Sequence, residues 1–434
     1  MDIKTVTVIG VTGTMGANVA GIFASFGDAK VYCVGRSMDK VKSIIPKIAK
    51  SVRADSIVAN LIPADFSMLD SCVEDSDLIF ESCIEDIEVK KNIASRVSEN
   101  LRENAVSCTG SSGLSITSLA ECYSDDLRGN FFGVHMFNPP YSMPLCELIS
   151  TEYSNTELAN ELKQYLENKL IRTVVKVKDS PAFLANRIGF QFINEAIQYA
   201  EKYKDNGGID YIDAILGSYT GRSMPPIVTA DFVGLDVHKA IVDNLFEHTS
   251  DYARDTYILP EFAKKLISEK KYGRKSGEGF YKTIHYENGT KQILVYDINT
   301  DSYRERIDYA FPFAVKMKNY FKNGDYDKAL KVLVNNHSQE ADICLGFLIR
   351  YIAYSVYCAS KVGYSIESAD DVMKTGFNWC PPLALAEALS SVSDLQSLMN
   401  EYVPQSGDSV DIYRILKETK PSRYDFRPYF KSGR

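Results

Sequence analysis

TVTVIGVTGTMGANVAG (residues 5–21) starts as a β-branched run, breaks at a glycine, and continues with small and apolar residues at helical spacing. That order is strand, tight turn, helix. Such a turn lets the backbone approach a pyrophosphate, which then sits on amide N–H groups at the positive end of the helix. The usual spacing is G-x-G-x-x-G, whereas here Gly10, Gly13 and Gly16 are separated by two residues each. Gly10, Thr12, Gly13, Thr14, Met15 and Gly16 are therefore the expected first contacts of a dinucleotide, on a loop one residue wider than normal.

Working outward, AKVYCVG, DLIF and NAVSCTGSS read as further strands separated by helical stretches. Alternation of this kind predicts an α/β Rossmann-type doubly wound parallel sheet. The second strand should end in an acid that holds the ribose hydroxyls of NAD, but the chain reads Gly35-Arg36-Ser37. A guanidinium without a neighbouring carboxylate favours a 2′-phosphate, because Arg pairs with phosphate through two parallel hydrogen bonds. These residues point to NADP, with Arg36 and Ser37 near the phosphate; Arg36 as a turn cap or an adenine stacking partner is the competing reading.

Composition narrows the class. A chain of 434 residues with 45% hydrophobic side chains is long enough for two or three domains, and a formal charge of −8 argues against wrapping nucleic acid. The opening MDIKTVTVIG has no basic leader, and no membrane span is read in the sequence, so a cytoplasmic protein is expected. Nine cysteines form no C-x-x-C pair, which suits a reducing compartment and predicts neither a zinc site nor a disulfide framework.

The segment that carries chemistry is GNFFGVHMFNPPYSMPLCELIS (residues 129–150). His135 ends an apolar run, Asn138-Pro139-Pro140 reverses the chain, and Glu147 stands on the next apolar run. A carboxylate opposite a histidine can fix the imidazole tautomer and stabilise its charged form. By pattern alone a buried structural histidine competes with that dyad.

These residues resemble the signature of the L-3-hydroxyacyl-CoA dehydrogenases, H-F-F-N-P followed by M-x-L-V-E. DLIFESCIEDIEVKKNI, TGSSGLSIT, VKDSPAFLANRIGFQFINEA, MPPIVTADFVGLD and YGRKSGEGFYK are similar to further stretches of that family in the same order, out to about residue 282. The resemblance implies that His135 is the general base, Glu147 its orienting partner, Ser112 a donor to the reacting oxygen and Asn186 a substrate contact. Glu85 and Lys90 match positions that touch the cofactor in the family, NAD in most members. Read alone, Ser112 is a turn residue, Asn186 a helix-start cap, and EDIEVKK a solvated helix face.

The sequence departs from the family in three places. Gly110 replaces an asparagine, the acid after the second strand is missing, and the stretch between Gly35 and Asp77 is shorter than the helical pair that clamps coenzyme A. What remains there is one helix with Pro46 inside it and Lys40, Lys42, Lys47, Lys50 and Arg53 along it. That basic face is open to two readings, a phosphate contact for a CoA ester or simple solvation.

The second half is helical, and it repeats. IDYIDAILGSYTGRSMPPIVTAD has a degenerate echo in IESADDVMKTGFNWCPPLALAE, and each follows a long apolar helix. Between them, IHYENGTKQILVYDINTDSYR reads as a hairpin around Asn288-Gly289. The expected layout is a Rossmann domain at 1–180, a helical domain at 181–283 resembling that of 6-phosphogluconate dehydrogenases, a hairpin and connector at 284–340, and a second helical copy at 341–434. In the family's short members the helical domain forms a dimer contact, so a tandem copy makes a monomer possible. The tail PSRYDFRPYFKSGR reads as a loose end.

The expected function is interconversion of (3S)-3-hydroxyacyl-CoA and 3-ketoacyl-CoA with NAD or NADP, on an acyl-CoA substrate and without a metal, nucleic-acid or membrane partner. A dehydrogenase of a free 3-hydroxy acid, as in the carnitine and gulonate branches, is the alternative, and a non-catalytic dinucleotide sensor a third.

Overall fold

The computed structural model describes residues 1–404 and 410–430. They form two compact units, Met1–Phe183 with a short return at Val362–Tyr364, and the rest of the chain from Leu184.

The first unit is built on eight strands, β1 (Thr5–Ile9), β2 (Lys30–Gly35), β3 (Leu61–Asp65), β4 (Leu78–Glu81), β5 (Val106–Thr109), β6 (Phe131–Met136), β7 (Leu145–Ser150) and β8 (Thr173–Lys178). They lie in one sheet in the order β3-β2-β1-β4-β5-β6-β7-β8. Every neighbouring pair is parallel except β6 and β7. Val6, Thr7, Val8 and Ile9 of β1 are all fully buried, so both faces of the central strand are covered, as the near-continuous apolar run of a parallel strand requires. The order reverses at β1, which pairs with β2 on one side and β4 on the other. The crevice beyond the carboxyl ends at this switch point is where such sheets bind ligands.

The helices of this unit are α1 (Thr14–Ser25), α2 (Met38–Val52), α3 (Leu69–Glu74), α4 (Ile87–Asn100), α5 (Ile116–Ala120) and α6 (Thr156–Asn168). Between β2 and β3 stand α2 and a short 3-10 turn at Asp55–Asn60. Val41, Ile45, Ile48 and Ala49 of α2 are buried, while Lys40, Lys42, Lys47 and Lys50 are exposed.

The second unit contains α7 (Ala185–Lys202), α8 (Ile209–Ile215), α9 (Pro226–Val233), α10 (Leu235–His248) and α11 (Glu261–Ser268), followed by β9 (Tyr281–His285), β10 (Lys291–Asp297) and β11 (Ser302–Glu305). The expected hairpin is larger than its turn signal suggested: β11 pairs with the other edge of β10, giving a three-stranded antiparallel sheet. Among the described residues, seven α-helices follow, α12 (Pro312–Lys322), α13 (Tyr326–Val334), α14 (Gln339–Val362), α15 (Ser368–Val372), α16 (Pro382–Ser390), α17 (Leu395–Tyr402) and α18 (Ile412–Glu418).

The sequence echo has a structural counterpart. Asp213 accepts hydrogen bonds from the Ile227 and Val228 amides at the start of α9, at 2.9 and 3.1 Å, and Asp370 accepts one from Leu383 at the start of α16, at 2.7 Å. The two long helices pack together: Phe192 of α7 meets Phe347 and Tyr351 of α14, and Glu195 pairs with Arg350 at 2.6 Å. Arg222 lies buried over the rings of Phe192, Tyr351 and Trp379, 3.7 to 4.7 Å from their centroids.

Two expectations need correction. α14 has an 18-residue window of mean hydropathy 1.5, long and apolar enough to cross a membrane, although the sequence reading found no such run; 89% of that window is buried inside the protein. The tail is not loose over its described part. Tyr424 donates to Asp371 at 2.5 Å, and Phe430, 3% exposed, packs on Phe321. Residues 431–434 of that tail lie outside the described residues.

Candidate active site

A cavity of about 990 Å³ opens at the switch point, lined by Gly10, Thr12, Gly13, Thr14, Met15, Arg36, Glu85 and Ser112 among the expected residues. Gly10 has φ +89°, and a Cβ on it would lie 2.4 Å from the Ser82 carbonyl oxygen, so only glycine lets the loop rest on the end of β4. Gly16 does not line the cavity: its absent Cβ makes room for the Gly10 carbonyl, which would otherwise be 2.4 Å away. Thr14 and Met15 form the first turn of α1 behind the N-cap Gly13, where amides have no intrahelical acceptor.

The extra loop residue and the missing acid are coupled. A Cβ on Gly35 would lie 2.7 Å from Val41 Cγ2 and 3.2 Å from Thr12 Cγ2, so the wider loop leans on the place a side chain would occupy. Arg36 is exposed and lines the cavity, while Ser37 is the N-cap of α2 and does not. Gly110 is tight for the same kind of reason, since its Cβ would sit 3.0 Å from the Phe80 ring.

Lys90 also lies outside the cavity lining. It is 2% exposed, with Nζ 2.9 Å from both oxygens of Glu81 and 3.5 Å from Glu85. Burial rules out a solvated helix face at this position. Glu81, which the sequence reading did not single out, also accepts from Thr109 Oγ1 at 2.6 Å and from the Cys83 amide at 2.5 Å. Glu85 in turn accepts from Ser111 Oγ at 2.6 Å and the Ser112 amide at 2.7 Å. Phe66, Cys83, Ile84 and Asn92 line the cavity without having been foreseen.

His135 and Glu147 face each other. β6 and β7 are antiparallel with these two residues directly paired, and His135 Nδ1 lies 2.8 Å from Glu147 Oε2. His135 is 5% exposed and Glu147 fully buried. With Nδ1–H donated to the carboxylate, the other ring nitrogen, Nε2, is left as the acceptor. The rings of Phe137 and Phe183 flank the imidazole, with centroids 4.5 and 5.5 Å away. The connection between the strands contains the cis Asn138-Pro139 peptide, and Asn18 donates to Asn138 Oδ1 at 3.2 Å. Thr109 on β5 is in register with Gly133 on β6, so the Ser111-Ser112 loop and His135 leave the sheet at the same end. Asn186 is the second residue of α7, buried, in the other compact unit.

Comparison with known proteins gives a consistent picture. Residues 5–180 match the 3-hydroxyacyl-CoA dehydrogenase NAD-binding-domain family, and residues 183–283 match the corresponding C-terminal-domain family. The human protein named hydroxyacyl-coenzyme A dehydrogenase, mitochondrial, is 31% identical over 294 residues, covering 64% of this chain and 91% of that protein. A Bacillus subtilis probable 3-hydroxyacyl-CoA dehydrogenase is 29% identical over 308 residues, and this chain spans only 38% of its length. The crystal structure of Escherichia coli 3-hydroxybutyryl-CoA dehydrogenase superposes with a TM-score of 0.68 over 96% of this chain and 98% of that one; at 20% identity it shares the fold.

Proposed function

This chain belongs to the 3-hydroxyacyl-CoA dehydrogenase family, and we propose on that basis that it interconverts (3S)-3-hydroxyacyl-CoA and 3-ketoacyl-CoA through the His135–Glu147 pair. The observation that carries the proposal is the buried 2.8 Å contact between His135 Nδ1 and Glu147. In the oxidising direction Nε2 of His135 takes the hydroxyl proton, and Glu147 stabilises the imidazolium that results. Ser112 donates a hydrogen bond to the oxygen on which charge develops. In reduction the same proton returns from His135 to that oxygen.

The side-chain-free cradle at Gly10, the first turn of α1 and the 990 Å³ cavity fit a nicotinamide dinucleotide. When bound, that cofactor supplies hydride-transfer chemistry. The finer reading is that the 2′-phosphorylated form is preferred, supported by exposed Arg36 on the cavity wall and by Val41 and Thr12 crowding any side chain at position 35.

The shortened clamp supports a second reading, a free 3-hydroxy acid as substrate: α2 and a 3-10 turn are all that stand between β2 and β3. Steady-state kcat/KM for acetoacetyl-CoA against free acetoacetate, each with NADH and NADPH, separates the two. Comparable rates on both substrates contradict the CoA reading, and no turnover on either contradicts both. The packing of α7 on α14 supports a monomer, which sedimentation tests.

A further inference from the structure

The expected catalytic set leaves Asp179 without a role, although three donors converge on it. Its Oδ1 accepts from the Ile116 amide at 3.1 Å, and its Oδ2 accepts from the Thr117 amide at 2.8 Å and from Ser115 Oγ at 3.2 Å. The donors are Ser115, at the far end of the loop that carries Ser112, and the first two residues of α5, into which that loop runs. The near end of that loop is tied separately, through Ser111 Oγ and the Ser112 amide on Glu85. The backbone that carries Ser112 is thus tied at both ends to a carboxylate, Glu85 and Asp179.

Asp179 also begins a strained segment. It follows β8 directly, and within four residues Ala182 and Phe183 adopt φ +55° and +53°, a left-handed conformation that L side chains rarely hold and that persists only when its surroundings fix it. The Phe183 amide closes the turn on the Ser180 carbonyl at 3.0 Å. The ring delivered by this turn is the one 5.5 Å from the His135 imidazole.

We infer that Asp179 is a positioning residue for the proposed reaction, one carboxylate that fixes the Ser112 loop relative to the Phe183 wall of His135. It acts through both without touching the reacting atoms. The inference rests on the proposed function, because it assumes that Ser112 and His135 serve the same oxygen. Misplacing a reacting group by about 1 Å can cost about 100-fold in rate, and supporting residues set that accuracy.

The test is Asp179→Ala and Asp179→Asn in the full chain, with three readouts. Turnover of acetoacetyl-CoA is expected to fall by about 30- to 100-fold in kcat for the alanine variant, with KM for the reduced cofactor changed less than about 3-fold. Asp179→Asn keeps one acceptor oxygen and opposes the second amide, so it should lose about 10-fold in kcat and unfold at a lower temperature than the parent while still being folded at the assay temperature, which thermal unfolding checks. The amides of Ile116 and Thr117 should exchange faster in both variants, and the His135 ring proton signal should shift as the Phe183 ring moves.

A kcat within about 3-fold of the parent in an active enzyme overturns the inference, as does a rise in cofactor KM parallel to the loss of kcat. If the parent itself does not turn over acetoacetyl-CoA, the functional reading fails instead. In that case an unmoved His135 signal overturns the coupling, and a moved one upholds it.

Discussion

Replacing Glu147 by glutamine removes one charge at the centre of the proposed mechanism and changes almost no volume. Glu147 is fully buried and its Oε2 lies 2.8 Å from His135 Nδ1. At an effective dielectric constant of about 20, a unit positive charge on the imidazole and the carboxylate charge attract by about 6 kcal/mol at that distance, which is an upper limit. The net worth of one hydrogen bond to a charged group is about 1.5–3 kcal/mol. At about 1.4 kcal/mol per tenfold, kcat should fall by about 10- to 150-fold. Neither residue lines the 990 Å³ cavity, so the Kd for the reduced cofactor should stay within about 2-fold of the parent. Stopped-flow rates under single-turnover conditions, with cofactor binding followed by fluorescence, measure both. An unchanged single-turnover rate refutes the reasoning, as does a loss of cofactor affinity that accounts for the whole effect.

Three other perturbations test separate parts of the account. Arg36→Ala should lower kcat/KM with NADPH by about 10-fold or more and leave NADH little affected, since only the 2′-phosphate loses a charge-assisted pair; equal losses with both cofactors contradict that role. Gly16→Ala puts a methyl group 2.4 Å from the Gly10 carbonyl, and should weaken binding of either cofactor about 10-fold or more by displacing the loop, measured by titration. Burial pushes the Asp213 carboxyl from an ordinary 3.8 up to about 7, against its hydrogen bonds from Ile227, Tyr281 and Val228. The folded state then keeps a proton that the unfolded chain releases above pH 4, so this group's contribution falls as pH rises from about 4 to about 7, by up to about 4 kcal/mol. Urea unfolding of Asp213→Asn should show a flatter pH dependence in that window than the parent; an unchanged slope contradicts it.

What could be read from the sequence was local or spanned a short turn. Strand, glycine loop and helix at residues 5–21 are specified by neighbours, and the 12-residue separation of His135 and Glu147 is two antiparallel strands and their connection. Asp370 was legible only as part of a faint echo, yet it accepts from an amide at the start of α16 as Asp213 does at the start of α9. Long-range partners carried no comparable signal. Asp179 reaches donors 62 to 64 residues away, and Glu81 looks like one more strand residue until Lys90 and Thr109 fold onto it. The tail read as loose because its anchors, Asp371 and Phe321, are 53 and 109 residues distant (424 − 371 and 430 − 321). β11 escaped notice because four residues, SYRE, are too few to show alternation.

The central claim is that His135 moves the proton in a hydroxyacyl-CoA oxidoreduction, and His135→Gln tests it most directly. Reduced-cofactor consumption with acetoacetyl-CoA should be rapid in the parent and fall by about 1,000-fold or more in the variant, with cofactor Kd unchanged within about 2-fold. Turnover by the variant at the parent's rate contradicts the claim, and so does a parent that binds the cofactor and leaves acetoacetyl-CoA untouched.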